Sequence, residues 1–292
     1  MYPNMAETNF TVGCVQLCSG QEIAANIIAV CDLIREAVDR GADLIVTPEM
    51  TGLMELKRAT LFAKITNEAD DDGLAQLCAL AKELRRHIII GSLAVKISDE
   101  LAVNRSFLIG PDGEIKARYD KIHMFDVNLP NGESYRESRS YEPGDKAVIA
   151  ALPWGLCGLT VCYDLRFSAL YRVLAKSGAD FITVPSAFTQ VTGEAHWHVL
   201  LRARAIETGC FIFAPAQGGV HENGRATYGH GLIVSPWGEI LAEGGEDPGV
   251  ITAYIDVELI KLTRSRIPSL NHDRTFADPS ACGSMFLRGV AS

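Results

Sequence analysis

No apolar run in the sequence approaches the roughly 20 residues that a bilayer-spanning helix needs, and no long block of a single charge interrupts it. The opening residues, MYPNMAETNF, lack the basic stretch and apolar core of a secretory leader. A cytoplasmic protein with no membrane partner is therefore expected. Basic residues are in the minority, 27 Lys and Arg against 36 Asp and Glu, for a net charge of −9. A nucleic-acid binder needs a basic stripe to displace counterions, so no nucleic-acid partner is expected. No C-x-x-C pair occurs among the eight cysteines, which gives zinc ribbons and thioredoxin-type motifs no support. Without an export signal the even cysteine count does not argue for disulfides either. Most of the cysteines sit in apolar runs such as GCFIFAPA and read as small buried hydrophobes.

What is present is an ordinary globular composition, 48% hydrophobic and 22% charged, on 292 residues. That length allows one large domain or two average ones. The chain is written twice. GADLIVTPEM at 41–50 is answered by GADFITVPSA at 178–187, each following a helical pattern that ends at the glycine. RHIIIGSLAV at 86–95 is answered by GCFIFAPAQG at 209–218, and FLIGPDGEI at 107–115 by LIVSPWGEI at 232–240. Apolar, β-branched runs alternating with helical patterns predict sheets covered by helices. Two such halves folded face to face give an α/β fold, a four-layer α-β-β-α sandwich with an internal pseudo-two-fold duplication. One domain over residues 8–270 is expected, with a tail at 271–292 that docks at an oligomer interface.

Between the halves, residues 119–146 are polar and turn-rich, as functional insertions often are. Three positions could carry chemistry. Cys162, in LTVCYDLRF, ends a strand-like run and precedes a helical one. It reads as strand-end filler, a metal ligand or a nucleophile; a sharp strand-to-helix turn near helical N–H groups would lower its thiol pKa. Glu49 follows Pro48 directly after an apolar strand, where a carboxylate is costly unless it projects into a polar cavity. The other reading is a helix N-cap neighbour or a surface acid. Lys121, in RYDKIHMFD, reads either as a solvated surface lysine or as a partly desolvated oxyanion donor.

Taken in order, Glu49 in PEM, Lys121 in YDKIHMFD and Cys162 in VCYDLRF resemble the nitrilase superfamily of carbon–nitrogen hydrolases. The likeness runs from TVGCVQL to RSRIPSLNHDR and is strongest in TGEAHWHVLLRARAIETGC and ATYGHGLIVSPWGEILAE, which look like the amidase branch. The resemblance implies the sandwich fold, no cofactor, no metal, and a homodimer or larger homo-oligomer. It implies Cys162 as nucleophile, Glu49 as general base, Lys121 as oxyanion-stabilising cation, and Glu137 as a second glutamate, with Glu133 and Glu142 as the alternatives in the same acid-rich loop. It also implies that Phe188 and Thr192 line the substrate pocket.

In the implied mechanism the oxyanion is held by Lys121 and the backbone N–H of Tyr163, and burial raises the pKa of Glu49 toward working pH. Arg166, about one helical turn beyond Cys162, either binds a substrate carboxylate or pairs internally with Asp164 or Glu207. His196 and His198 suggest a metal, but an i, i+2 pair on a helix points to different faces. His123 reads as structural, and Arg202 or Arg204 as a partner of Glu207. The expected activity is hydrolysis of a small carboxylate-bearing amide to acid plus ammonia, with deaminated glutathione as substrate. The alternatives are an omega-amidase acting on α-ketoglutaramate or α-ketosuccinamate, an N-carbamoyl or nitrile hydrolase, and a non-catalytic binding protein on the same fold. The segment APAQGGVHENGRATYGH is where substrate ends are expected to bind.

Overall fold

A computed structural model describes residues 9–276. In chain order the first half contributes β1 (Asn9–Gln16), α1 (Ile23–Asp39), β2 (Leu44–Val46), α2 (Arg58–Lys64), α3 (Asp72–Leu84), β3 (His87–Lys96), β4 (Ala102–Ile109) and β5 (Ile115–Asp120). A hairpin of β6 (Asp126–Asn128) and β7 (Ser134–Arg136) follows. The second half contributes β8 (Val148–Leu152), β9 (Gly155–Leu159), α4 (Ser168–Lys176), β10 (Phe181–Thr183), α5 (Gln190–Thr208) and β11 (Phe211–Ala214). The short pair β12 (Gly218–Val220) and β13 (Ala226–Tyr228) precedes β14 (Leu232–Val234) and β15 (Ile240–Glu243). β16 (Gly249–Asp256) and α6 (Glu258–Arg266) come last.

The duplication is visible in the strand orders. One six-stranded sheet runs β16-β1-β2-β3-β4-β5 and the other β8-β9-β10-β11-β14-β15. Each begins with an antiparallel pair, takes two parallel steps and then two antiparallel ones. The paired sequences fall on equivalent strands: β2 with β10, β3 with β11, and the β4–β5 turn with the β14–β15 turn. The glycines that close the preceding helices match as well. Gly41 after α1 and Gly178 after α4 have φ of 88° and 98°, a left-handed conformation that costs glycine nothing. Their N–H groups donate to Val38 and Ala175, and the next N–H groups, of Ala42 and Ala179, reach back to Ala37 and Leu174.

Alternation along the strands makes the layers. Leu44 and Val46 of β2 face the second sheet, while Ile45 between them packs with Ile27, Ile34 and Leu77 of α1 and α3. Burial at Ile27, Val30, Ile34 and Ala37 follows the helical period, so α1 lays one stripe on the sheet. Phe10 of β1 meets Phe181 and Phe213 of the other sheet edge-on, at 5.3 and 6.3 Å. On the far side, Tyr171 and Leu174 of α4 and Trp197 and Leu201 of α5 cover the second sheet.

The inserted segment is more ordered than its composition suggests. Lys121 directly follows β5, and the β6–β7 hairpin lies within the stretch read as polar and turn-rich. Within RARAIE, Arg204 pairs with Glu207 at 3.0 Å, while Arg202 donates to the Gly238 carbonyl. Of the expected tail, residues 277–292 lie outside the described residues, as do the first eight and Cys282; Asp273 reaches Arg172 and, at 2.5 Å, Lys176 on α4. No helix among the described residues is long and apolar enough to cross a membrane.

Candidate active site

Because β5 runs parallel to β2, the carboxyl ends of β2, β5, β9 and β10 open on the same edge of the sandwich, where side chains are free of the strand ladder. Glu49 follows β2, Lys121 follows β5, Cys162 follows β9 and Phe188 follows β10. Together with Glu137, Tyr163, Arg166 and Thr192 they line one cavity of about 270 Å³. A larger hollow of about 460 Å³ lies between α4, α6 and the Trp237 turn, and its described lining holds no cysteine or carboxylate.

Cys162 begins a short 3-10 turn (Cys162–Arg166) and has a φ of +50°. A non-glycine residue in that region costs about 1–3 kcal/mol and persists only where its surroundings enforce it. Here the Cys162 N–H donates to the Pro185 carbonyl (2.9 Å). The fully buried Asp164 carboxylate closes the turn, accepting from the Val161 N–H (2.9 Å), the Tyr119 hydroxyl (2.7 Å) and the His123 N–H (3.1 Å). The His123 ring also bonds Asp164 and stacks on Phe167, so it buttresses the turn from outside the cavity. The Tyr163 N–H, next in the turn, has no hydrogen-bond acceptor among the described residues.

Beside the sulfur lies a cluster of buried charge. Lys121, 2% exposed, donates to Glu49 Oε1 at 2.9 Å and to both oxygens of Glu137 at 3.0 and 2.9 Å. Asn104 donates to Glu49 Oε1 (2.9 Å) and Glu137 Oε1 (3.2 Å), and Ala187 N–H donates to Glu49 Oε2 (2.9 Å). Phe125 N–H holds the other Glu137 oxygen at 2.6 Å. Glu133 and Glu142 are exposed, and Glu133 accepts instead from the Tyr135 hydroxyl.

Two electrostatic expectations are corrected. Burial presses Glu49 toward the neutral form, but the Lys121 charge, the Cys162 thiol and Arg225 outweigh it, holding the carboxyl below its usual range. The Cys162 thiol is raised, not lowered: burial and then the Glu49 charge push it well up, and Lys121 offsets only part. The helix α4 begins only at Ser168, and no N–H of its first turn is among the groups that act on the thiol. Lys121 is pushed down by burial and, more strongly, up by Glu137 and Glu49, so it stays an ammonium. The resting cluster is a thiol beside an ionised, cation-paired carboxylate.

Neither internal ion pair considered for Arg166 forms. Asp164 is saturated by the turn and Glu207 is taken by Arg204. The Arg166 guanidinium instead lies over the Tyr163 and Phe188 rings at 5.9 and 5.4 Å and meets His196 Nδ1 at 3.2 Å. His198 turns away to Glu243 (2.9 Å), which also accepts from His230 (3.1 Å), a cluster assembled by the fold outside the cavity. Two residues escaped the sequence reading: Asn104, which bonds Glu49 and Glu137 from behind the cavity, and Arg225, which lines it. Asn104 carried a signal, since an asparagine inside the apolar strand AVNRSF needs a buried partner. Arg225 lay in the segment singled out for substrate ends, with nothing local to distinguish it.

The carbon-nitrogen hydrolase family profile matches residues 11–265. Curated relatives include the deaminated glutathione amidases of Synechocystis sp. (39% identical over 272 residues, 90% of this chain and 97% of that one) and Yersinia enterocolitica (40% over 276 residues, 91% and 93%). The Homo sapiens deaminated glutathione amidase is 36% identical over 268 residues, covering 90% of this chain and 82% of that one. Among solved structures, the C. elegans NitFhit protein superimposes with a TM-score of 0.86 at 31% identity, covering 92% of this chain and 66% of that longer one. Saccharomyces cerevisiae Nit3, described as a member of branch 10 of the nitrilase superfamily, gives 0.79 at 27% identity, covering 92% and 97%.

Proposed function

The chain belongs to the carbon–nitrogen hydrolase family, three of its curated relatives are deaminated glutathione amidases, and from that premise we propose that it hydrolyses deaminated glutathione through a Cys162 thioester. The observation that carries this reading is the convergence of Glu49, Lys121 and Cys162, from three distant segments, on one cavity. Deaminated glutathione has a keto-acid carboxylate at its acyl end and a glycine carboxylate at the other, and its scissile nitrogen belongs to cysteine. Its hydrolysis releases cysteinylglycine; ammonia leaves only from a primary amide such as α-ketoglutaramate.

The chemistry follows from the protonation states. A free thiolate beside ionised Glu49 is unfavourable, so the sulfur gives its proton to Glu49 as it attacks the carbonyl carbon. Glu49 Oε2, held by a single backbone N–H, has the open lone pair for that proton. The C=O bond opens to an oxyanion facing the Lys121 ammonium and the unpartnered Tyr163 N–H. Collapse breaks the C–N bond, and the proton on Glu49 goes to the departing nitrogen. Water then attacks the thioester, Glu49 takes its proton and returns it to sulfur, and the acid is released. Glu137 and Asn104 hold Lys121 and Glu49 in place through this cycle, and Arg166, Phe188 and Thr192 bind the keto-acid end. Assembly as a homodimer or larger homo-oligomer is part of the same proposal, and sedimentation of the purified protein reads it.

Steady-state rates on deaminated glutathione and α-ketoglutaramate, with acid-quenched mass spectrometry of the protein, test the reading. The expected result is a higher kcat/KM on deaminated glutathione and an acyl adduct on Cys162. Cys162→Ala loses turnover with its fold kept, whereas Cys14→Ala, in the core of β1, keeps it. No adduct and no turnover on either substrate would sink the proposal, and faster α-ketoglutaramate hydrolysis would make this an omega-amidase.

A further inference from the structure

The cavity holds a second guanidinium that the bond-breaking steps leave unused. Arg225 stands in the turn between β12 and β13 and reaches across to the loop after β10. One of its three nitrogens, Nη2, donates to the Ala187 carbonyl at 2.6 Å. Nη1 meets only the thioether sulfur of Met54, at 3.6 Å, and Nε is buried with no partner. No carboxylate pairs with this side chain among the described residues. A buried N–H with no acceptor costs about 1–3 kcal/mol, so a site that keeps one is suited to an acceptor that comes and goes.

Successive ring contacts along the cavity wall link this donor to Arg166. Arg166 lies over Tyr163, Tyr163 meets Phe125 at 5.2 Å, Phe125 meets Tyr135 at 5.2 Å, and Arg225 lies over Tyr135 at 5.2 Å. Three rings in successive contact thus run between two guanidiniums, neither of which forms an ion pair with a carboxylate among the described residues. The other charged groups along this rim are committed elsewhere. Glu55 accepts from Gln21 and the Lys57 N–H, and the Arg136 guanidinium is tied to the Val127 and Tyr135 carbonyls of the hairpin.

We infer that Arg225 forms a second carboxylate subsite, so that the cavity selects amides bearing a carboxylate at each end, Arg166 reading the acyl end and Arg225 the amine end. This rests on the function proposed above and adds to it the group that separates deaminated glutathione, with two carboxylates, from α-ketoglutaramate, with one. A guanidinium fork suits the task because it offers parallel N–H donors to a planar carboxylate. A site built to hydrogen-bond a group also rejects the analogue that lacks it.

The test compares deaminated glutathione with its C-terminal carboxamide, which has the same shape without the second negative charge. Wild-type enzyme is expected to prefer the acid by at least about tenfold in kcat/KM, through KM. Arg225→Gln brings that ratio to within about twofold, and Arg225→Lys, which keeps the charge, retains part of it. Circular dichroism confirms that each variant is folded. Binding of the same two molecules to Cys162→Ala protein, with and without Arg225→Gln, is measured by calorimetry and needs no turnover. Turnover with an acid preference that survives Arg225→Gln overturns the subsite and leaves the substrate reading standing. An Arg225-dependent preference in binding without turnover keeps the subsite and sinks the substrate reading. A wild-type protein indifferent to the second carboxylate in both measurements overturns the inference outright.

Discussion

Lys121 is a cation sealed in the protein with two carboxylates on it, and the balance at this one residue sets the charge of its neighbours. The Glu49 carboxyl is depressed in the folded state, so its contribution to stability is present above the ordinary carboxylate range and is lost as pH falls through its lowered folded value. Lys121→Met removes the charge that opposes burial, leaving Glu49 with a raised pKa. A raised carboxyl contributes stability below its unfolded pKa and loses it as pH rises through the folded one. Melting temperature in Lys121→Met is therefore expected to climb as pH drops from 8 to 6, a slope the wild type lacks, and at pH 8 the variant loses about 3–5 kcal/mol. Thermal melts across that range check both. The strand-end positions of Cys162 and Glu49 were legible from the apolar runs before them, while their roles came from the family resemblance. Their proton affinities were not legible. The groups that set them come from far along the chain, as in the 72-residue separation of Glu49 from Lys121.

At the scale of elements, the paired strands were readable because each carries a repeated local signal: a glycine-ended helix, an apolar run, a tight turn. The strands that went unread lack it. β12, β13, β6 and β7 are three residues each and form in segments dominated by polar and glycine positions. One contact between the paired strands bears directly on the site. Gly91 in β3 has the Thr47 and Pro48 carbonyls and the Pro185 ring where a side chain would begin, at 2.1, 2.4 and 2.5 Å from an added Cβ. Pro48 precedes Glu49, and the Pro185 carbonyl holds the Cys162 N–H. Gly91→Ala is expected to push both strand ends apart, losing about 1–3 kcal/mol of stability and most of the amidase activity. Gly245→Ala, which meets nothing within 4 Å, serves as the control. Denaturant unfolding and steady-state assays read the two effects separately.

For the whole molecule, the two halves are alike in plan and unlike in how they are closed. β8 immediately precedes β9 and completes the second sheet locally, whereas β1 is completed by β16 from the other end of the chain. The register from Asn9↔Asp256 to Gln16↔Gly249 spans all of β1. One calorimetric transition is expected for the chain, and a fragment ending before β8 is expected not to fold; two resolved transitions would mean that the halves are separable domains. That closing strand could not be foreseen, because pairing between chain ends leaves no local pattern. It also fixes an order of events during synthesis. While the ribosome is still making the second half, β1 offers a bare hydrogen-bonding edge to any strand in reach. The nascent chain is thus exposed to wrong pairing until almost its last helix emerges, and slow translation or chaperone cover over that interval would govern how much protein reaches its native form.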